Sequence, residues 1–171
     1  MSKGHDLSNI RYTGGGNHRG TKVAIVVSKW NDPITFALRD GAIKLLKEAG
    51  VKERNIKVYE VPGSYELPYA AQKCLEYRPM LDGVIALGCV IQGETRHFDF
   101  ICDAVANGLM KVSLQFSKPA IFGVLTPDTM DQAKARAGGR YGNKGEEAAV
   151  ALLELVDLKK NLTWGRSSEV I

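Results

Sequence analysis

Strand-like and helix-like patterns alternate along the whole of this chain, and that order predicts an α/β protein: a three-layer αβα arrangement whose four-stranded parallel sheet is flanked by helices on both faces. Three observations carry the prediction. Apolar runs at 22–28, 56–61, 84–87 and 119–126 read as strands, with Val84-Ile85-Ala86-Leu87 the signature of one buried on both faces. Each is followed by apolar residues at helical spacing. Gly, Pro, Asn and Asp punctuate the changes of pattern, and neither a repeat nor a linker divides the 171 residues. That length suits a single domain with its own core.

Residues 1–20 are rich in Gly, Asn, Ser and charge and cannot build a core, so they form a flexible arm, disordered or docked elsewhere, which could add a strand to a neighbouring subunit. After the first strand comes a turn holding Trp30 and Asn31. Asp32 as N-cap and Pro33 at the first helical position open a helix whose apolar residues include Ile34, Leu38, Leu45 and Leu46, and Gly50 ends it. Pro62-Gly63-Ser64 turns the chain after the second strand. Pro68 is tolerable only in a first turn, which places the next helix from near Glu66 to about Tyr77. The third strand breaks at Gly88 and Gly93 before a helix carrying Phe98, Ile101, Cys102, Val105, Leu109, Val112 and Phe116, apolar over an arc wide enough for contact on two sides. Beyond the fourth strand, Asp128 caps a short helix to about Ala137, which Gly138-Gly139 stops. A last helix runs from about Gly145 to Asn161. The folded domain is thus expected at 21–161, between the arm and a tail at 162–171 without periodic pattern.

A parallel sheet presents its ligand outside the carboxyl ends of its strands. Here those ends carry Trp30-Asn31, Gly63 to Glu66, Gly88 to His97, and Thr126. Around Gly93, Glu94 and Thr95, unpaired N–H groups at a helix start make an anion site. Gly88 and Gly93 have the spacing of a nucleotide phosphate loop, but Glu94 stands where that loop needs Lys, which excludes ATP. What remains is room for one phosphate beside His97. On spacing alone His97 is either an exposed first-turn residue or a proton carrier.

A net charge of +4 is spread along the chain and forms no basic stripe for nucleic acid. Cys74, Cys89 and Cys102 are too few and wrongly spaced for a disulfide framework or a metal site, and read as core residues in a reducing compartment. No apolar segment reaches membrane-spanning length, and the first 20 residues are too polar for a signal peptide, so a cytoplasmic location is expected.

The elements G-C-V-I-Q-G-E-T-R-H-F-D, V-P-G-S-Y-E-L-P, F-G-V-L-T and R-A-G…N-K-G-E-E-A-A occur in the order found in lumazine synthases, and residues 21 to 160 resemble that family. The resemblance implies a flavodoxin-like fold and condensation of 5-amino-6-(D-ribitylamino)uracil with 3,4-dihydroxy-2-butanone 4-phosphate, releasing phosphate and water, without metal or organic cofactor. It implies that His97 transfers protons, and that Arg136 binds the phosphate held at Glu94 and Thr95. Trp30 would stack on the heterocycle, a larger face than the usual Phe and one able to hold riboflavin. Ser64, Tyr65 and Glu66 would contact the pyrimidine and ribityl chain, while Cys89, Val90 and Ile91 line the ring pocket. Phe122 would come from a neighbouring subunit, and Lys144 is a further site lysine. The sequence departs from many relatives at Glu146, where they carry Trp, which bears on packing near the last helix rather than on the chemistry.

The residues taken alone have blander readings: Arg136 as a cation at a helix C-terminus, Glu66 as a first-turn acid, Lys144 as a loop lysine. A rival from another class is an FMN carrier on the same sheet, with Trp30 over the flavin. The resemblance further implies a homopentamer, extended in many members to an icosahedral shell of sixty chains, and association with riboflavin synthase. The short R-A-G-G-R-Y-G-N-K-G link favours the shell.

Overall fold

A computed structural model describes residues 10–165. Its main sheet has the four expected strands, β1 (Val23–Ser28), β2 (Ile56–Val61), β3 (Gly83–Cys89) and β4 (Ala120–Leu125), all parallel in the order β2-β1-β3-β4. The helices are α1 (Asp32–Glu48), α2 (Leu67–Tyr77), α3 (His97–Phe116), α4 (Met130–Ala135) and α5 (Lys144–Gly165). Because side chains alternate along a strand, β1 divides its residues between two cores. Val23, Ile25 and Val27 meet Leu38, Leu46, Leu152 and Leu153 of α1 and α5, whereas Ala24 and Val26 meet Leu67, Ala71, Val105 and Leu109 of α2 and α3. β1 and β3 are buried along their whole length, as central strands of a three-layer fold must be.

Several boundaries differ from the sequence reading. The N-cap of α1 is Asn31, not Asp32; Asn31 adopts φ 61°, ψ 39° and its carbonyl accepts from Ile34 and Thr35 N–H. Asn tolerates this left-handed conformation better than most residues. The cap of α4 is Thr129 rather than Asp128: Thr129 Oγ1 accepts from Gln132 N–H at 3.2 Å, while Gln132 Oε1 reaches back to the Asp128 amide at 2.8 Å. α4 ends at Ala135 because the chain turns into a small hairpin, β5 (Ala137–Gly139) with β6 (Gly142–Asn143), absent from the sequence reading and made feasible by Gly138 (φ 99°) and Gly142 (φ 78°).

Gly88 does not break β3. The strand continues through it to Cys89, and the glycine is needed because a Cβ there would lie 2.4 Å from Ser64 Oγ. α3 begins at His97, so Gly93, Glu94 and Thr95 lie just ahead of the helix, at its entrance. A bond from Gln92 N–H to Pro127 O at 3.0 Å holds the segment along the β4 exit. α5 continues past Asn161 to Gly165, with Thr163 Oγ1 bonded back to Lys159 O and Lys160 O. Part of the expected tail is therefore helix.

The arm is docked from Tyr12 onward. His18, 1% exposed, places Nδ1 3.0 Å from Thr21 Oγ1 and Nε2 2.8 Å from the Tyr12 hydroxyl, which itself bonds Asp157 of α5. Strand addition to a neighbour falls on residues 1–9, outside the described residues, or on this docked segment. Around Glu146 the packing is closed by other groups: Asn143 bonds Ala37 O and the Gly145 amide, and Gly145 lies against Leu38 O where no Cβ would fit. Glu146 itself faces Lys44 of α1 at 3.9 Å.

Candidate active site

The exits of β1, β2 and β3 build one wall. Trp30, 67% exposed, rests its ring on Gly63, where a Cβ would come within 2.4 Å of Trp30 Cε3, and its amide donates to Pro62 O at 3.0 Å. The glycine is thus what lets the indole pack against the turn. Ser64, Tyr65 and Glu66 form a single 3₁₀ turn ahead of α2. Ser64 is buried and among the described residues its hydroxyl has no hydrogen-bond partner, Tyr65 is exposed, and Glu66 Oε2 accepts from Gly63 N–H at 2.9 Å. Glu66 therefore braces the turn beneath Trp30 with one carboxylate oxygen.

Cys89 continues the wall. Its thiol is buried, which pushes its pKa up to about 11, so it is no nucleophile near neutral pH. Its carbonyl accepts from Asn31 Nδ2 at 2.9 Å. Val90 N–H donates to Leu125 O at 2.9 Å, and Val90 and Ile91 are half-buried.

Past Ile91 the chain comes into the open. Gly93, Glu94 and Thr95 are exposed, and among the described residues their amides have no acceptor. His97 stands at the first position of α3 with an exposed imidazole that bonds no described side chain. Unbonded amides beside a helix N-terminus favour an anion, and an open imidazole next to them can give or take a proton.

Phe122, Arg136 and Lys144 form a second group around a cavity of about 380 Å³ outside β4, with Thr126 and Gln132. Arg136 is held from two sides: Nη2 lies 2.6 Å from Glu147 Oε1, and Nη1 donates to Tyr141 O at 2.6 Å. Lys144 Nζ lies 3.2 Å from the other Glu147 oxygen. One largely buried carboxylate thus gathers two cations that the sequence placed apart. Among the described residues no bond joins Arg136 to Glu94 or Thr95 within the chain.

Two contributors were missed in the sequence. Glu147 was legible as an acid three residues after Lys144, where a helix brings the pair to one face. Asn31 carried no signal beyond being a turn residue, because its bond to Cys89 depends on β1 and β3 being neighbours. Among the described residues no group of His, Cys, Asp and Glu could hold a metal ion, and no helix is long and apolar enough to cross a membrane.

Fold and sheet-end pocket together define a small-molecule enzyme of the three-layer α/β class. Residues 20–160 match the family model for 6,7-dimethyl-8-ribityllumazine synthase. The chain is 53% identical over 132 residues to a protein of that name from Cytophaga hutchinsonii, a match covering 77% of this chain and 82% of that one. It is 43% identical over 160 residues to one from Christiangramia forsetii, covering 94% and 95%, and 42% identical over 151 residues to one from Pediococcus pentosaceus, covering 88% and 96%. The chain belongs to the 6,7-dimethyl-8-ribityllumazine synthase family, oligomeric transferases of riboflavin biosynthesis, and its reaction is the condensation of 5-amino-6-(D-ribitylamino)uracil with 3,4-dihydroxy-2-butanone 4-phosphate.

Proposed function

We propose that this condensation takes place at the carboxyl end of the sheet, in domain 21–161, with the two walls described above in separate roles. The observation that carries the reading is the order of features along one sheet edge: an exposed indole, a tight turn, then free amides and an open imidazole. Trp30 stacks on the pyrimidine, with Ser64, Tyr65 and Glu66 against the ring and ribityl chain and Cys89, Val90 and Ile91 closing the pocket. The amides of the loop holding Glu94 and Thr95 receive the phosphate, and Arg136 neutralises it as it leaves.

His97 moves protons as the amine adds to the ketone, water and phosphate depart, and the ring closes. Holding amine and ketone together removes the cost of a bimolecular encounter, which in favourable cases reaches roughly 7–11 kcal/mol. Phe122 completes the pocket from a neighbouring subunit, and Lys144 serves as a further site lysine. The test is turnover with the two substrates varied separately: Trp30→Ala is expected to raise KM for the pyrimidine alone. A rise confined to the butanone phosphate would overturn the assignment.

The same reading makes the protein cytoplasmic and homopentameric, extended to a closed shell with which a riboflavin synthase associates. Phe100, Met110 and Leu114 on the outer face of α3 are largely exposed and supply the apolar surface such assembly needs. Light scattering of a shell gives about sixty times the 18.7 kDa chain, and a stable monomer would refute the interface. The open face of Trp30 also receives riboflavin, so a riboflavin titration that leaves Trp30 emission unquenched would remove that role.

A further inference from the structure

We infer that Asn31 is a positioning residue for the pyrimidine pocket, fixing the separation of the Trp30 ring and the Cys89–Ile91 wall through one side-chain hydrogen bond. The inference rests on the pocket assignment above. Asn31 is one of two non-glycine residues with positive φ among the described residues; the other, Ser117, ends α3. At a helix N-cap the side chain ordinarily turns inward to a free N–H of the first turn. Here it does not: the Asn31 carbonyl takes Ile34 and Thr35 N–H, and the side chain makes no cap bond. Nδ2 crosses instead to Cys89 O at 2.9 Å.

The place of that bond gives it its role. The β1–β3 ladder ends at Val27 with Leu87. Beyond that pair, the loops leaving the sheet are tied in series: Trp30 N–H to Pro62 O, Asn31 Nδ2 to Cys89 O, Val90 N–H to Leu125 O, and Gln92 N–H to Pro127 O. Three of these ties are backbone to backbone and beyond the reach of side-chain substitution. The Asn31 tie alone is made by a side chain, and it joins the turn bearing Trp30 to the strand end bearing the ring pocket. Loss of it leaves both elements folded but free to separate, and a stacked heterocycle is sensitive to that separation.

Two variants divide the backbone from the donor. Asn31→Gly keeps the left-handed turn and removes the amide. Asn31→Asp keeps the size and sets an acceptor against the Cys89 carbonyl. Asn31→Gly is expected to raise KM for 5-amino-6-(D-ribitylamino)uracil about fivefold, the net contribution of one hydrogen bond, with KM for the butanone phosphate unchanged. Asn31→Asp is expected to raise it further. With Trp164 replaced by Phe so that Trp30 reports, pyrimidine binding should quench emission less in both. Equal changes in both KM values, or a lowered thermal midpoint with neither KM moved, would overturn the inference and leave Asn31 a structural residue. Trp30→Ala in the same assay separates the two failures. If it raises the pyrimidine KM and Asn31→Gly does not, the positioning role alone is wrong; if it does not, the pocket assignment falls and this inference with it.

Discussion

His18 and His97 are the same side chain in opposite circumstances. His18 is sealed between the arm and α5. Since the Tyr12 hydroxyl gives its proton to Asp157, it accepts from His18 Nε2–H, and His18 Nδ1 accepts from Thr21. Every polar position of that imidazole is occupied. Burial, the largest influence, lowers its pKa below the ordinary 6.5, Lys160 adds to the fall, and Asp157 and Asp82 oppose it. The Tyr12 phenol, pushed up to about 12 by burial and by Asp157, keeps its proton throughout. The His97 imidazole is exposed and bonds no described side chain. A histidine that holds a fold together is saturated with partners, whereas one available for chemistry is left wanting them.

That contrast can be broken at either end. The largest effect is expected for His97→Ala: kcat falls by roughly 10²-fold or more without reaching zero, because substrate positioning persists, and the melting curve is unmoved. A folded, assembled variant with no measurable turnover would assign His97 more than proton transfer. Next comes Arg136→Ala, which on the proposed reading removes charge-assisted bonds to phosphate and is expected to raise KM for the butanone phosphate at least about tenfold. Because Glu147 then loses a cation, Glu147→Gln in the same background should recover stability but not affinity.

The smallest effect belongs to the arm. His18→Ala should leave kcat within about twofold while lowering the midpoint of unfolding by a few degrees, as about 1 kcal/mol does in a chain of this size. Its pH dependence has a definite sign. The unfolded chain binds the His18 proton more readily, so arm docking is complete above pH about 6.5 and weakens as pH drops through the lowered folded value. Hydrogen exchange of amides 12–21 should accelerate between pH 7.5 and 5 after correction for intrinsic rates. Unchanged protection would show that Asp157 offsets the burial of a charged His18.

The four strands, their parallel sense and the helix count were legible because apolar periodicity and turn residues are local properties. The sheet-end residues were legible for the same reason, as topology puts every β-exit on one edge. What escaped depended on neighbours distant in sequence. Gly88 looked like a break because its real constraint is Ser64 Oγ, twenty-four positions away. The Asn31 link needs β1 beside β3, and the Arg136–Glu147 pair needs the hairpin to bring α4 back to α5. Asp32 and Asp128 were chosen as caps by residue preference, yet backbone geometry gave both places to the residue next door, Asn31 and Thr129.

The strand order also dictates a sequence of events on the ribosome. β1 cannot complete its pairing until β3 has been made, since Val23 lies against Gly83 across an intervening helix, edge strand and second helix. The only hairpin in the described residues is the short β5–β6 element, made late in the chain. Non-local pairing of this kind folds slowly, for the loop must close before contacts reward it. The nascent chain therefore carries Val23–Ser28 as an uncovered apolar strand for much of its synthesis, and the bond from Asn31 to the Cys89 carbonyl forms only when Cys89 has emerged.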